Sequence, residues 1–107
     1  MDVAELQRSL ASGDEAERAR LLRETIRTHV AALLSLTSVE DDGNFLDLGL
    51  NSLSALELTK NLMTITELEI PLVTIVDHPT PAELAGHLAA EYTRASTGAS
   101  AGEGVPK

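Results

Sequence analysis

Cysteine is absent from the 107 residues, which removes disulfides and thiolate metal sites together and fits a reducing compartment. Aromatic residues are almost absent as well, at 2%, whereas hydrophobic residues reach 43%. A core must therefore be assembled from Leu, Val, Ile and Ala, which pack well between helices but supply few large anchors. No apolar run approaches the roughly 20 residues that span a bilayer. The opening MDVAELQRSL lacks the basic-then-apolar order of a secretory signal. A soluble, cytoplasmic chain with no membrane partner is expected, and its length suits one domain with a modest core.

Positive charge is scarce, and scarcest in the second half. Residues 1–39 carry six acids against five arginines, but residues 40–94 carry ten acids against only Lys60 and Arg94, within a formal net charge of -9. Such a surface repels nucleic acid phosphates and anionic lipid heads, so no nucleic-acid partner is expected. It speeds encounters with basic protein patches, or it serves only to keep a small domain in solution.

What is present is helical periodicity. In DEAERARLLRETIRTHVAALLSL, from Asp14, the residues Leu22, Ile26, Val30, Leu33 and Leu34 form one stripe, which predicts a long first helix. Residues 2–11 predict a shorter, weaker helical turn. TSVEDDGN reads as a loop, followed by NFLDLGLNSLSALEL and a second helix from Ser52 to about Met63. Thr64 to Pro71 reads as a connection, since it combines β-branched residues with a proline. Val73 to Asp77 is expected to form a short helix. Thr80-Pro81-Ala82-Glu83 has the order of a capped helix start, and the last helix is expected to end near Arg94, with Leu84, Leu88 and Tyr92 inward. The expectation is an all-α fold, a small four-helix bundle of three main helices and one short one. It divides into an N-terminal extension (1–13), a folded domain (14–94) and a flexible C-terminal tail or linker (95–107).

On a helical wheel of the second helix, Ala55, Leu58 and Leu62 share one side, while Leu53, Leu56 and Met63 share the other, beside Glu57 and Lys60. Two apolar faces on one helix mean either that the Val73–Asp77 segment covers the second or that a partner docks there. Ser52, at the start of this helix, has three readings. Asn51 and Ser52 are both good cap residues. A catalytic nucleophile is a second reading, but GLNSL lacks the glycine that follows the serine in the G-x-S-x-G elbow, and only three histidines could act as base. The third is attachment of a phosphate-containing group, favoured at a helix N-terminus by about 0.3–1 kcal/mol. Lesser candidates carry bland readings: Glu83 and His87 as an i,i+4 surface pair, EDDGN as a solvated acidic turn, His29 as a flank of the first helix, and His78 as a turn residue before Pro79.

FLDLGLNSLSALEL resembles the modification-site motif of acyl carrier proteins, F-x-D-L-G-x-D-S-L-x-x-x-E-L. IVDHPTPAELAGHL resembles the matching downstream segment of modular polyketide synthase carriers, and EAERARLLRETIRTHVAALLSL is similar to that subfamily's first helix. The resemblance covers Glu15 to Leu88. It implies that Ser52 carries a 4'-phosphopantetheine arm, transferred from coenzyme A by a separate, magnesium-using phosphopantetheinyl transferase. Acyl or polyketide intermediates would then ride on the arm as thioesters, and the chain itself would be a non-catalytic monomer with no resident metal. Expected partners are that transferase, an acyltransferase, a ketosynthase and other synthase enzymes. They would be gripped through Asp47, Asn51, Leu53, Leu56, Glu57 and Lys60. The aliphatic core could also part to shelter a bound chain. Two departures stand out: Asn51 where the family usually has Asp, which keeps capping ability but removes a negative charge, and Ser35 where the subfamily often has Gly. A peptidyl carrier of a nonribosomal synthetase and an unmodified helical interaction domain are the alternatives. Met1 and the short tail suggest a discrete protein, although a domain cut from a longer synthase would look the same.

Overall fold

The computed structural model describes residues 3–101, with side chains through Ser96. Its described residues form six helices: α1 (Val3–Ser12), α2 (Glu15–Leu34), α3 (Phe45–Leu48), α4 (Ser52–Thr66), α5 (Leu72–Asp77) and α6 (Pro81–Ala101). The expected all-α bundle is present, with α2, α4 and α6 as its main members and α5 as the short one. No helix among the described residues is long and apolar enough to cross a membrane.

α2 starts where the sequence predicts: the Asp14 carboxylate accepts the Glu17 N–H at 2.9 Å, which satisfies one of the free donors of the first turn. Its stripe faces inward, with Leu22, Ile26 and Val30 fully buried, while Leu33 and Leu34 are partly covered. α2 and α6 share the most extensive interface, Leu84, Ala85, Leu88 and Ala89 forming the α6 side of the core. α4 closes it with Ala55, Leu58 and Leu62. At about 1.5–3 kcal/mol for each fully buried Leu or Ile side chain, this aliphatic cluster is the main favourable term in folding. α2 ends at Ser35, which is held in the left-handed conformation at φ 58°, so that the Leu36 N–H reaches back to the Ala31 carbonyl at 2.8 Å. The glycine that resembling chains often carry here has a conformational explanation.

Three expectations need correction. Val3–Ser12 is a full helix of ten residues rather than a shorter, weaker turn, and its Leu6 and Leu10 are buried in the same hydrophobic cluster. Arg18 explains the attachment: it is buried on α2, and its guanidinium donates to the Leu10 carbonyl at 2.6 Å, to Ala11 at 3.4 Å and to the Thr93 hydroxyl at 2.8 Å, while lying 4.8 Å from the Tyr92 ring centroid. The C-terminal carbonyls of α1, which have no intrahelical partner, thus find a cation. Second, α4 continues three residues past Met63. The Thr64 and Thr66 hydroxyls bond back to the Lys60 and Leu62 carbonyls, and Ile65 and Thr66 are buried, so packing outweighs the weak propensity of β-branched residues. Third, α6 does not stop near Arg94 but runs to Ala101, since extending a formed helix adds one hydrogen bond for each residue fixed. The rest of the expected tail, residues 102–107, lies outside the described residues.

The loop before α3 is held from two sides. Arg23 and Arg27 form ion pairs with Asp41 at 3.4 and 3.2 Å, and Arg27 Nε donates to the Val39 carbonyl at 2.6 Å. Asp41 accepts the Ala82 N–H at the start of α6 through its carbonyl at 2.9 Å. Only part of the EDDGN turn is therefore simply solvated. The Phe45 N–H then donates to the Pro79 carbonyl at 2.8 Å, and the Phe45 ring is buried, so the chain's single Phe anchors α3 against the turn before α6.

Candidate functional site

α3 was not foreseen from the sequence, yet it shapes the entry to α4. Asn44 caps it by accepting from the Leu46 and Asp47 N–H groups, and Gly49 ends it at φ 107°, a conformation that a side chain would strain. Leu50 then turns inward and is buried, its N–H donating to the Phe45 carbonyl at 2.9 Å. Asn51, extended at φ -117°, opens α4.

Of the two cap candidates, Asn51 does the work. Its Oδ1 accepts from the Ser54 N–H at 2.9 Å and from the Ser54 hydroxyl at 2.8 Å, while its own N–H donates to Ser54 Oγ at 3.4 Å. This reciprocal box relieves Ser52 of any capping role. Ser52 occupies the first position of α4, exposed, and its hydroxyl has no hydrogen-bond partner among the described residues. The Ser52 and Leu53 N–H groups are likewise free of protein partners, because the box takes Ser54 and the Asn51 carbonyl takes the Ala55 N–H at 2.8 Å.

None of the three histidines is hydrogen-bonded to Ser52. His29 on α2 meets the Asn61 side chain of α4 at 3.3 Å, so it bridges two helices rather than merely flanking one, and burial holds its imidazole below the ordinary range. His78 ends α5 and stacks on His87, with centroids 4.3 Å apart; His87 thus faces His78 and forms no ion pair with Glu83. The reading of Ser52 as a nucleophile with its own base has no geometric support.

Around Ser52 the surface is greasy. Seven large hydrophobic residues are exposed among those described, and all but Val3 lie on α3, α4 and α5: Leu46, Leu53, Leu56, Leu72, Val73 and Val76. Leu53 is the most open, at 72%. α5 packs on α4, with its Ile75 buried, but leaves Leu53 and Leu56 uncovered, so the Val73–Asp77 segment does not cover that face. Met63, grouped with them on the wheel, instead packs partly buried against the core. Asp47, Asn51, Glu57 and Lys60, on α3, at the entry to α4 and on α4, are exposed as well. Leu46, Leu72, Val73 and Val76 were missed, because α3 and α5 are too short for periodicity to assign their faces. Between α3, α4 and α5 lies a cavity of about 290 Å³, walled by Phe45, Leu50, Ala55, Leu72, Ile75 and Val76; Asn51 and Ser52 are its only polar lining residues.

Residues 24–88, which contain this whole arrangement, match the family model described as "Phosphopantetheine attachment site". The chain belongs to that family. A family member carries a covalently attached 4'-phosphopantetheine group, and the site suits one: an exposed, unengaged hydroxyl, unpartnered backbone donors beside it for a phosphodiester, and an apolar trough at hand. The chain is 44% identical over 90 residues to the spectinabilin polyketide synthase system protein NorA' of Streptomyces orinoci, a match covering 81% of this chain and 2% of that protein. It is 41% identical over 92 residues to the pikromycin polyketide synthase component PikAII of Streptomyces venezuelae, covering 83% and 2%. The chain therefore corresponds to a small part of either relative. Among solved structures, the A1-type ACP domain from module 5 of MLSA1 superposes with a TM-score of 0.70 at 35% identity, over 79% of this chain and 88% of that one. That carrier fold is the fold seen here.

Proposed function

We propose that Ser52 is the attachment point of the phosphopantetheine group and that the chain works as an acyl carrier in polyketide biosynthesis. The observation that carries this is the Ser52 hydroxyl itself, exposed and unbonded at the first position of α4 because Asn51 and Ser54 have taken over the cap. The relatives named as polyketide synthase components support the choice of pathway class.

In the attachment step, the Ser52 oxygen forms a bond to the phosphorus that bears pantetheine in coenzyme A. The pyrophosphate bond breaks, the 3',5'-adenosine bisphosphate leaves, and the hydroxyl proton passes to a base on the transferase. Ser52 needs no base of its own. The bound arm supplies a thiol on which acyl groups are held as thioesters and carried between enzymes. This chain's remaining role is recognition. Leu53 and Leu56, with Leu46, Val73 and Val76 alongside, offer apolar anchors, and Asp47 and Glu57 offer charge to basic patches on the transferase, an acyltransferase or a ketosynthase. Such contacts should be brief, since a carrier must leave each partner. The trough beside Ser52 offers shelter to an acyl chain, at about 0.8 kcal/mol per buried CH2. Equal amide shifts in arm-only and acyl-loaded protein would reject that shelter.

Intact mass after incubation with coenzyme A, magnesium and a promiscuous transferase tests the attachment. A phosphopantetheine-sized gain that disappears in Ser52→Ala is expected. No gain would favour an unmodified interaction domain, and loading by amino-acid-activating rather than acyl-transferring enzymes would favour a peptidyl carrier.

A further inference from the structure

The cap of α4 leaves one polar group idle. Asn51 Oδ1 receives two hydrogen bonds from Ser54, one from its N–H and one from its hydroxyl. That pairing determines which end of the amide is which, because a reversed amide would set Nδ2 against the Ser54 N–H, donor to donor. Nδ2 is consequently the outward end. Asn51 is exposed, and Nδ2 has no hydrogen-bond partner among the described residues. The next residue is Ser52, and both side chains line the same apolar trough, as its only polar members.

We infer that Asn51 is a positioning residue for the prosthetic arm, its Nδ2 donating to a non-bridging oxygen of the phosphodiester on Ser52. This rests on Ser52 being the attachment point. A phosphodiester is an anion with two free oxygens and no proton to donate, so a neutral amide that presents N–H groups suits it. A carboxylate at this position would preserve the acceptor that Ser54 needs, but would turn a negatively charged oxygen toward a negative neighbour. The neutral cap thus allows one residue to close the helix with its oxygen and hold the root of the arm with its nitrogen. Anchored there, the arm begins at the edge of the trough.

The full chain, 15N-labelled, would be compared by NMR before and after loading with coenzyme A and transferase, with intact mass confirming the load. One of the two Asn51 Nδ2 protons should move downfield and exchange more slowly with water. The 31P resonance of the loaded protein should differ between the wild type and Asn51→Asp, which retains the cap. A normal mass gain with an unmoved Asn51 pair, while the Ser52 to Ser54 backbone amides shift, would overturn the role of Asn51 alone; so would a 31P resonance identical in both proteins. Absence of any mass gain would overturn the attachment itself and this role with it. The wild-type comparison stands even if Asn51→Asp folds poorly.

Discussion

Replacing Arg18 by Ala should both destabilise the protein and release its first helix. The guanidinium is buried and joins three elements, donating to Leu10 and Ala11 of α1 and Thr93 of α6 from its place on α2. A hydrogen bond to a charged group contributes about 1.5–3 kcal/mol, and a cation over an aromatic ring about 0.5–2 kcal/mol. The Ala11 bond, at 3.4 Å, is weak, and the carbonyl of exposed Ala11 can regain water. A loss of about 2–4 kcal/mol follows, a large share of the roughly 5–15 kcal/mol that holds a domain together. The melting temperature should fall by roughly 8–32 °C at about 4–8 °C per kcal/mol. Urea unfolding followed by circular dichroism reads the magnitude, and amide exchange reads the place. The Val3–Ser12 amides should lose protection before those of α2 and α6. Arg18→Lys should recover only part, because an ammonium cannot reproduce the planar fork. A loss below about 0.5 kcal/mol with α1 protection unchanged would show that the guanidinium is an ornament and that Leu6 and Leu10 alone dock the helix.

Ser35→Gly should stabilise by roughly 0.5–1 kcal/mol, since it relieves a left-handed non-glycine residue at some cost in unfolded-chain entropy; an unchanged or lower unfolding midpoint would contradict this. Leu53→Ser should leave the melting temperature nearly unaltered, because the side chain is 72% exposed, while kcat/KM for arm transfer falls about tenfold. Equal transfer rates would remove Leu53 from the proposed docking surface. Burial depresses the His29 pKa in the folded state, so the unfolded chain binds more protons around pH 6.5. The contribution of His29 is therefore intact above its unfolded pKa and is lost as pH falls below it toward the folded one. His29→Gln should show a smaller drop in melting temperature than the wild type between about pH 8 and pH 5; parallel curves would refute it.

The sequence was most legible where periodicity ran long or a cap stood alone. The Leu22, Ile26, Val30 stripe and the Asp14 cap placed α2, and the Thr80 hydroxyl does accept the Glu83 N–H, at 3.2 Å. Ala55, Leu58 and Leu62 were assigned to the core from their spacing and are buried. Met63 was misassigned because a wheel knows angle but not neighbours, and α1 was undervalued because its ten residues contain only two buried leucines. α3 left no periodic trace, being four residues long.

By itself, the order of residues determined an aliphatic all-helical bundle and a serine at a helix start, because 3.6-residue periodicity and capping chemistry are local and survive without knowledge of the fold. Only the tertiary structure decided that Asn51 rather than Ser52 closes α4, that α5 leaves Leu53 and Leu56 bare, and that Arg18 binds α1 into the core. Those outcomes depend on which groups meet across segments distant in sequence, or on which of two adjacent side chains, both able to cap, the backbone brings within reach of the Ser54 N–H. Local propensity is indifferent to both.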